Sequence, residues 1–181
     1  MRIISGEFKG RKIEPPKNLP VRPTTDMAKE SLFNILNNLF YFDELKVLDL
    51  FSGTGSISYE FASRGTETIT CVDNDFNCTK FILQMAEKFE MPLQVIKSDV
   101  FKFLETSQNK YNVIFADPPY ALAHEEFAKI VELVFAHSLL EADGLLIIEH
   151  SKHTDLSTLE YFSHSRSYGG CVFSFFGQII D

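Results

Sequence analysis

Lys46-Val47-Leu48-Asp49-Leu50-Phe51-Ser52-Gly53-Thr54-Gly55-Ser56 is the stretch that decides the fold. Its short apolar run does not alternate, so it reads as a strand covered on both faces, the habit of parallel sheets. The run breaks into a turn carrying two glycines, and a helical pattern begins at residue 56. Strand, glycine turn and helix make the first half of a βαβ unit. Glycines at such a turn let the backbone come close to a ligand and present amides at the start of the helix. A dinucleotide fingerprint would place a third glycine three residues after Gly55, but Ser58 stands there, which lowers a nicotinamide reading.

The same alternation continues downstream. Strands are predicted at Lys46–Phe51, Thr68–Asp73, Leu93–Lys97, Asn112–Ala116 and Leu145–Glu149, with helices over 56–64, 75–90, 100–106 and 124–140 between them. Phe81, Met85 and Phe89 recur at spacing four and read as core packing. Tyr161–Tyr168 and Cys171–Ile179 flank Gly169-Gly170, the signal of an antiparallel hairpin. Upstream, Thr24-Thr25-Asp26 offers N-cap residues for a helix reaching about Phe40. The expected fold is α/β: an open, doubly wound, mostly parallel seven-stranded sheet of Rossmann-like type, ending in an antiparallel hairpin.

In such sheets a ligand lies outside the carboxyl ends of the strands. The first strand ends on Asp49 and the glycine turn, and the second on Asp73-Asn74-Asp75. A carboxylate at the second position can accept from both hydroxyls of a ribose, whereas Asp75 suits a helix N-cap better. After the third strand comes Ser98-Asp99-Val100, where an acid could take an adenine amino proton beside an apolar neighbour. The fourth strand runs into Asp117-Pro118-Pro119-Tyr120. The prolines fix φ and donate nothing, their carbonyls remain acceptors, and an aromatic ring follows. That set suits a planar group bearing an NH₂, with Asp117 and the Pro118 carbonyl accepting its protons and Tyr120 stacking on its face.

The chain has 181 residues, 45% of them hydrophobic and 23% charged, which fits one soluble domain and excludes disorder. No apolar run has the length of a membrane span, and no leader peptide is evident. Cys71, Cys78 and Cys171 form no paired motif and suit a reducing cytoplasm. The five histidines lack ligand spacing, so no metal site is expected. A net charge of −8 argues against a polyanionic partner until it is divided. Residues 1–29 hold seven basic and three acidic side chains, a balance of +4, and the rest of the chain carries −12. The basic portion begins with a predicted small β-hairpin around Gly6 and Gly10, ended by Pro15-Pro16 and followed by an extended linker from Leu19 to Pro23.

Asp49–Ser56 resembles the glycine-rich motif of the class I S-adenosylmethionine-dependent methyltransferases, Asp73 their ribose-binding acid and Asp99 their adenine contact. Asp117-Pro118-Pro119-Tyr120 resembles the [DN]PP[YF] tetrapeptide of members that methylate exocyclic or amide nitrogens. Arg2 to Lys12, Arg22-Pro23-Thr24-Thr25-Asp26 and Glu30 to Asn34 resemble the bacterial family that methylates guanine N2 in small-subunit (16S) ribosomal RNA. The likeness covers nearly the whole chain, with Lys29 where an arginine is common.

The resemblance implies S-adenosylmethionine as cofactor, held by Thr24, Thr25, Asp49, Phe51, Gly53, Thr54, Gly55, Ser56, Asp73, Asn74, Asp99 and Val100. It implies catalysis at Asp117, Pro118 and Tyr120, with Pro119 and Tyr120 against the base. Arg2, Lys9, Arg11, Lys12 and Arg22 would hold RNA from an arm over 1–24, the methyltransferase domain occupying 25–181. The partner would be ribosomal RNA or a small-subunit assembly particle, met by a cytoplasmic monomer. Adenine-N6 methylation of DNA uses the same tetrapeptide but needs a target-recognition region for which the chain has no length. Protein glutamine methylation is disfavoured by Asp117, and a non-catalytic RNA-binding scaffold by the intact tetrapeptide.

Overall fold

A computed structural model of the protein describes residues 1–22 and 24–177. Pro23, in the linker and in the Arg22-Pro23 motif, lies outside the described residues, as do 178 and 179 of the last expected strand. Along the chain come α1 (Asp26–Leu39), β1 (Lys46–Leu50), α2 (Ser56–Ser63), β2 (Thr68–Asp73), α3 (Phe76–Lys88), β3 (Leu93–Lys97) and α4 (Val100–Thr106). Then follow β4 (Tyr111–Ala116), α5 (His124–Ala136), β5 (Leu140–Ser151), β6 (Phe162–Tyr168) and β7 (Cys171–Phe176). One seven-stranded sheet results, in the order β3-β2-β1-β4-β5-β7-β6. The first five strands are parallel, and β7 pairs antiparallel with β5 and β6.

The period of two in the strands divides the core. Val47, Phe115, Ile147 and Phe173 face one layer, where α1, α2 and α3 bring Phe33, Phe61 and Ile82. Leu48, Ile114 and Ile148 face the other, where α4 and α5 bring Leu104, Phe127 and Ile130. Strands buried on both sides therefore need apolar residues at both parities, as the sequence has them. Phe81 is buried and Met85 and Phe89 pack against the same layer, so the α3 stripe is core.

Two elements differ from expectation. α5 ends at Ala136 rather than near 140, because Ser138 is left-handed (φ 52) and the Leu139 N–H turns back to the Val134 carbonyl. The residues beyond extend β5 backwards to Leu140, with a register shift opposite Tyr111 and Val113. The N-terminal hairpin is a compact loop joined by one antiparallel bridge, Arg2 with Lys12, and lacks a strand ladder. Gly6 and Gly10 supply its left-handed turns (φ 89 and 84).

The hairpin is fastened to the body by polar contacts. The Glu60 carboxylate is fully buried and accepts from the Ile4 N–H at 2.9 Å and the Ser5 N–H at 3.1 Å. Arg64 donates to it at 2.9 and 3.0 Å, and the buried Lys29 ammonium lies 3.8 Å away. Burial pulls the Lys29 pKa below its ordinary value, opposed by Glu60. Lys29 donates to the Arg2 carbonyl and to Ser56 Oγ, so one cation ties α1 to the arm and to the glycine turn. At its tip the hairpin packs Phe8 edge-on against Phe89, which caps the C-terminal end of α3. Ile3 and Ile13 are buried beneath.

Candidate active site

A cavity of about 860 Å³ opens at the carboxyl ends of the parallel strands, within the usual size of small-molecule sites. It gathers Asp49 and the turn after β1, Asp73 and Asn74 after β2, Asp99 and Val100 after β3, Asp117 to Tyr120 after β4, and Glu149 on β5. Leu19 to Arg22 and Thr24 run along its side as a strap.

The turn is conformationally demanding. Phe51, Gly53 and Gly55 all have positive φ (55, 54 and 84). A Cβ on Gly55 would stand 2.7 Å from the Tyr59 ring, so only glycine fits there. Phe51 has no such freedom and stores about 1–2 kcal/mol of strain, of the kind that gathers at ligand sites. Asp73 pins the turn: Oδ2 accepts from the Gly53 N–H at 2.9 Å and Oδ1 from the Asp75 N–H at 2.8 Å. A carboxylate so held keeps further lone pairs for a ligand.

Beneath the turn, Asp49 is almost wholly buried and burial pushes it up to about 7. Ser58 Oγ donates to Asp49 Oδ2 at 2.7 Å, so the position without a third glycine supplies a hydroxyl that steadies this acid. Several expected residues carry structural duties. Asp75 caps α3 through the Cys78 N–H, and Asp99, though it lines the cavity, caps α4 through the Lys102 N–H. Thr25 does not line the cavity; its hydroxyl accepts from the Ala28 N–H and caps α1, leaving Thr24 as the threonine at the site. Gly55 lies under the turn, also off the cavity wall. Arg2, Lys9, Arg11 and Lys12 are exposed on the hairpin away from the cavity; Arg2 pairs with Asp26 at 3.4 Å and Arg11 sits over the Phe89 ring. Arg22 alone of the five cations reaches the site, its guanidinium 4.1 Å from the centre of the Tyr120 ring.

Sequence reasoning missed Glu149. It is 4% exposed, and its Oε2 accepts from Thr24 Oγ1 at 2.8 Å. Glu149 ends the apolar run of β5 as Asp117 ends that of β4, but no motif follows it, and only the pairing of β4 with β5 sets the two acids together. Burial and then the facing Glu149 hold Asp117 well above the ordinary carboxylate range, with Arg22 opposing. Burial raises Glu149 too, against the Thr24 hydroxyl and Arg22. Tyr120 is pushed up to about 12, chiefly by burial, and stays a neutral phenol. The cavity thus combines a turn and acids suited to a nucleoside with a second, acceptor-rich end beside an aromatic ring. Among the described residues no cluster of three metal-ligating side chains occurs.

The family model described as Conserved hypothetical protein 95 matches residues 1–177. The chain belongs to this family. Ribosomal RNA small subunit methyltransferase D of Haemophilus influenzae is 33% identical over 165 residues, covering 88% of this chain and 83% of that one. Among solved structures, the Escherichia coli protein YhhF superposes with a TM-score of 0.84 at 26% identity, over 97% of this chain and 96% of that one. The Thermus thermophilus 16S rRNA N2 methyltransferase RsmC, solved with AdoMet and guanosine, shares the fold at 18% identity (TM-score 0.66, 89% of this chain and 45% of that one). The seven-stranded, mostly parallel sheet with its terminal hairpin is therefore the methyltransferase architecture, carried here by a Conserved hypothetical protein 95 member. Among its described residues no helix is long and apolar enough to cross a membrane.

Proposed function

We propose that this protein transfers a methyl group from S-adenosylmethionine to the exocyclic N2 amine of a guanine in small-subunit ribosomal RNA. It does so as a cytoplasmic monomer, on the RNA or on an assembly particle. The observation that carries the reading is that Asp117-Pro118-Pro119-Tyr120 and the nucleoside-type acids and turn line one cavity. The named relatives favour it over adenine-N6 methylation of DNA or a non-catalytic scaffold.

The residues fit the cofactor: Phe51 to Thr54, Ser56 and Thr24 for the methionyl part, with Gly55 shaping the turn beneath, Asp73 for the ribose, and Asp99 with Val100 for the adenine. When bound, S-adenosylmethionine supplies an electrophilic methyl group on a sulfonium. The target guanine leaves its stack to enter the cavity. Its amine is a poor nucleophile because the lone pair is conjugated with the ring. Asp117 and the Pro118 carbonyl accept the N2 protons and favour a pyramidal nitrogen with its lone pair aimed across the cavity. With N2 so held, its lone pair would form the N–CH₃ bond as the S–CH₃ bond breaks, the sulfur keeping that pair as a neutral thioether, and one N2 proton would pass to Asp117 or to water. Holding the partners in line supplies up to about 7–11 kcal/mol, so positioning dominates. Tyr120 stacks on the base.

The test is transfer of radiolabelled methyl groups to undermethylated small subunits, with mass spectrometry locating the product nucleoside. Dimethylated or N6-methylated adenosine in place of N2-methylguanosine would overturn the assignment. A pH profile adds a second check. Asp117 must be ionised to accept, and its pKa is raised. Activity is therefore lost as pH falls, along a limb displaced above the ordinary aspartate value of about 3.9. A kcat/KM profile flat down to pH 4 would contradict this.

Residues 1–24 serve as the RNA-contacting arm of the methyltransferase domain over 25–181. Phosphate contacts position RNA without specifying it. Replacing Arg2, Lys9, Arg11 and Lys12 by glutamine is expected to weaken RNA binding and lower the slope of log K against log salt by roughly 3. An unchanged slope in a filter-binding titration removes the arm from RNA contact.

A further inference from the structure

Glu149 has more acceptor capacity than its surroundings use. Ala116 on β4 pairs with Ile148 on β5, so the next residues, Asp117 and Glu149, stand side by side at the strand ends. Both line the cavity. Glu149 Oε2 takes the Thr24 hydroxyl, and among the described residues nothing donates to Oε1. No salt bridge of the described residues includes Glu149, and the nearby Arg22 is spread over the Tyr120 ring. A strap anchor needs a single acceptor, which a neutral side chain supplies without the expense of burying a carboxylate. A carboxylate at this place, beside a second one, calls for N–H donors from a ligand.

We propose that Glu149 is the residue that selects guanine: its Oε1 accepts the guanine N1–H while Asp117 and the Pro118 carbonyl take the two N2 protons. This rests on the guanine-N2 reading above. Guanine offers N1–H and N2–H₂ on adjacent ring positions, three donors for three acceptors. Adenine and cytosine set a ring nitrogen lone pair beside their amino groups, and that lone pair would face the carboxylate. Sites built around a substrate N–H discriminate strongly against analogues without it, by about 10⁴–10⁵ in the best cases. The raised pKa values of the two acids agree with this placement, since donors from the base would relieve the repulsion between them.

The experiment compares guanosine with 2-aminopurine riboside, which keeps the 2-amine but has a bare N1. Mass spectrometry first locates the guanosine methylated by the wild-type protein in small-subunit RNA. RNA ligated from fragments then carries either base at that position. The wild type is expected to favour guanosine by at least ~100-fold in kcat/KM. In Glu149→Gln the amide oxygen can still take the Thr24 hydroxyl while its NH₂ donates to the bare N1, so the preference should fall at least tenfold. The missing O6 of the analogue affects both proteins alike and cancels. Thr24→Val removes the strap contact and leaves Oε1 in place, so it should slow both substrates without changing their ratio. If Glu149→Gln slows both equally, or if Thr24→Val shifts the ratio as much, Glu149 is an anchor of the strap and the proposal is wrong. If the wild type modifies no guanine N2, the functional reading fails first, and this one with it.

Discussion

Asp117→Ala is expected to lower kcat for methyl transfer by about 10²–10⁴-fold, the usual range for removing a positioned acid–base group. The Kd for S-adenosylmethionine should stay close to the wild-type value. The separation follows from where the residue sits. Asp117 occupies the end of the cavity with Pro118, Tyr120 and Glu149, whereas the turn after β1 is pinned by Asp73 and steadied by Ser58 through Asp49. Removing the Asp117 carboxylate leaves those contacts intact. Asp117→Asn should restore part of the positioning but none of the proton acceptance, and the acid limb of the pH profile should move to lower pH, since Glu149 is left as the second acid and loses its charged neighbour. Near-normal turnover in the alanine variant, measured alongside cofactor binding by calorimetry, would show that Asp117 is not the acceptor of the amine.

Glu60→Ala is expected to cost about 3–5 kcal/mol, because it leaves the buried Lys29 ammonium uncompensated and strips the arm of its acceptor. Four groups lose a partner at once: the Ile4 and Ser5 amides, Arg64 and Lys29. For a domain of this size, at roughly 2–4 °C per kcal/mol, the thermal midpoint should fall by about 10 °C. The arm should also come loose. Trypsin would then cut after Lys9, Arg11 or Lys12 in the variant well before the body, a pattern absent from the wild type. A variant that melts like the wild type and resists cleavage would show that the network contributes little.

Much of this was readable from residue order. β2 and β3 coincide with their expected bounds because each β-branched run is closed by polar residues; β2 is covered on both faces, whereas β3 is the half-buried edge strand. The end of α5 was not readable, since the stop at Ser138 is a left-handed serine and no glycine or proline marks it. Thr25 and Asp99 show the limit of motif reading: a short oxygen-bearing side chain before a helix serves as cap or as ligand contact or as both, and Thr25 caps α1 off the cavity wall whereas Asp99 caps α4 and lines the cavity as well. Glu149 was hidden because β4 and β5 are adjacent only through a crossover, and nothing local in Leu145 to Glu149 announces that its last residue faces Asp117. Lys29 and Glu60 lay in unremarkable helical positions. Their pairing depends on how α1, α2 and the arm converge, a long-range fact that no local pattern contains.

In the proposed RNA complex, the placement of the hairpin would set a minimum size for the substrate. Its tip, with Lys9 and Arg11, packs at the C-terminal end of α3, while Asp75 and Cys78 at the opposite end of that helix line the cavity. α3 has 13 residues, a span of about 20 Å. A trinucleotide around the target guanine can fill the pocket yet never reach the tip, so its affinity should lack the steep salt response of a longer RNA. Only a folded RNA presents a phosphate ridge and an extruded base at that separation. With the arm in that role, the protein would measure the shape around its guanine as well as the guanine itself.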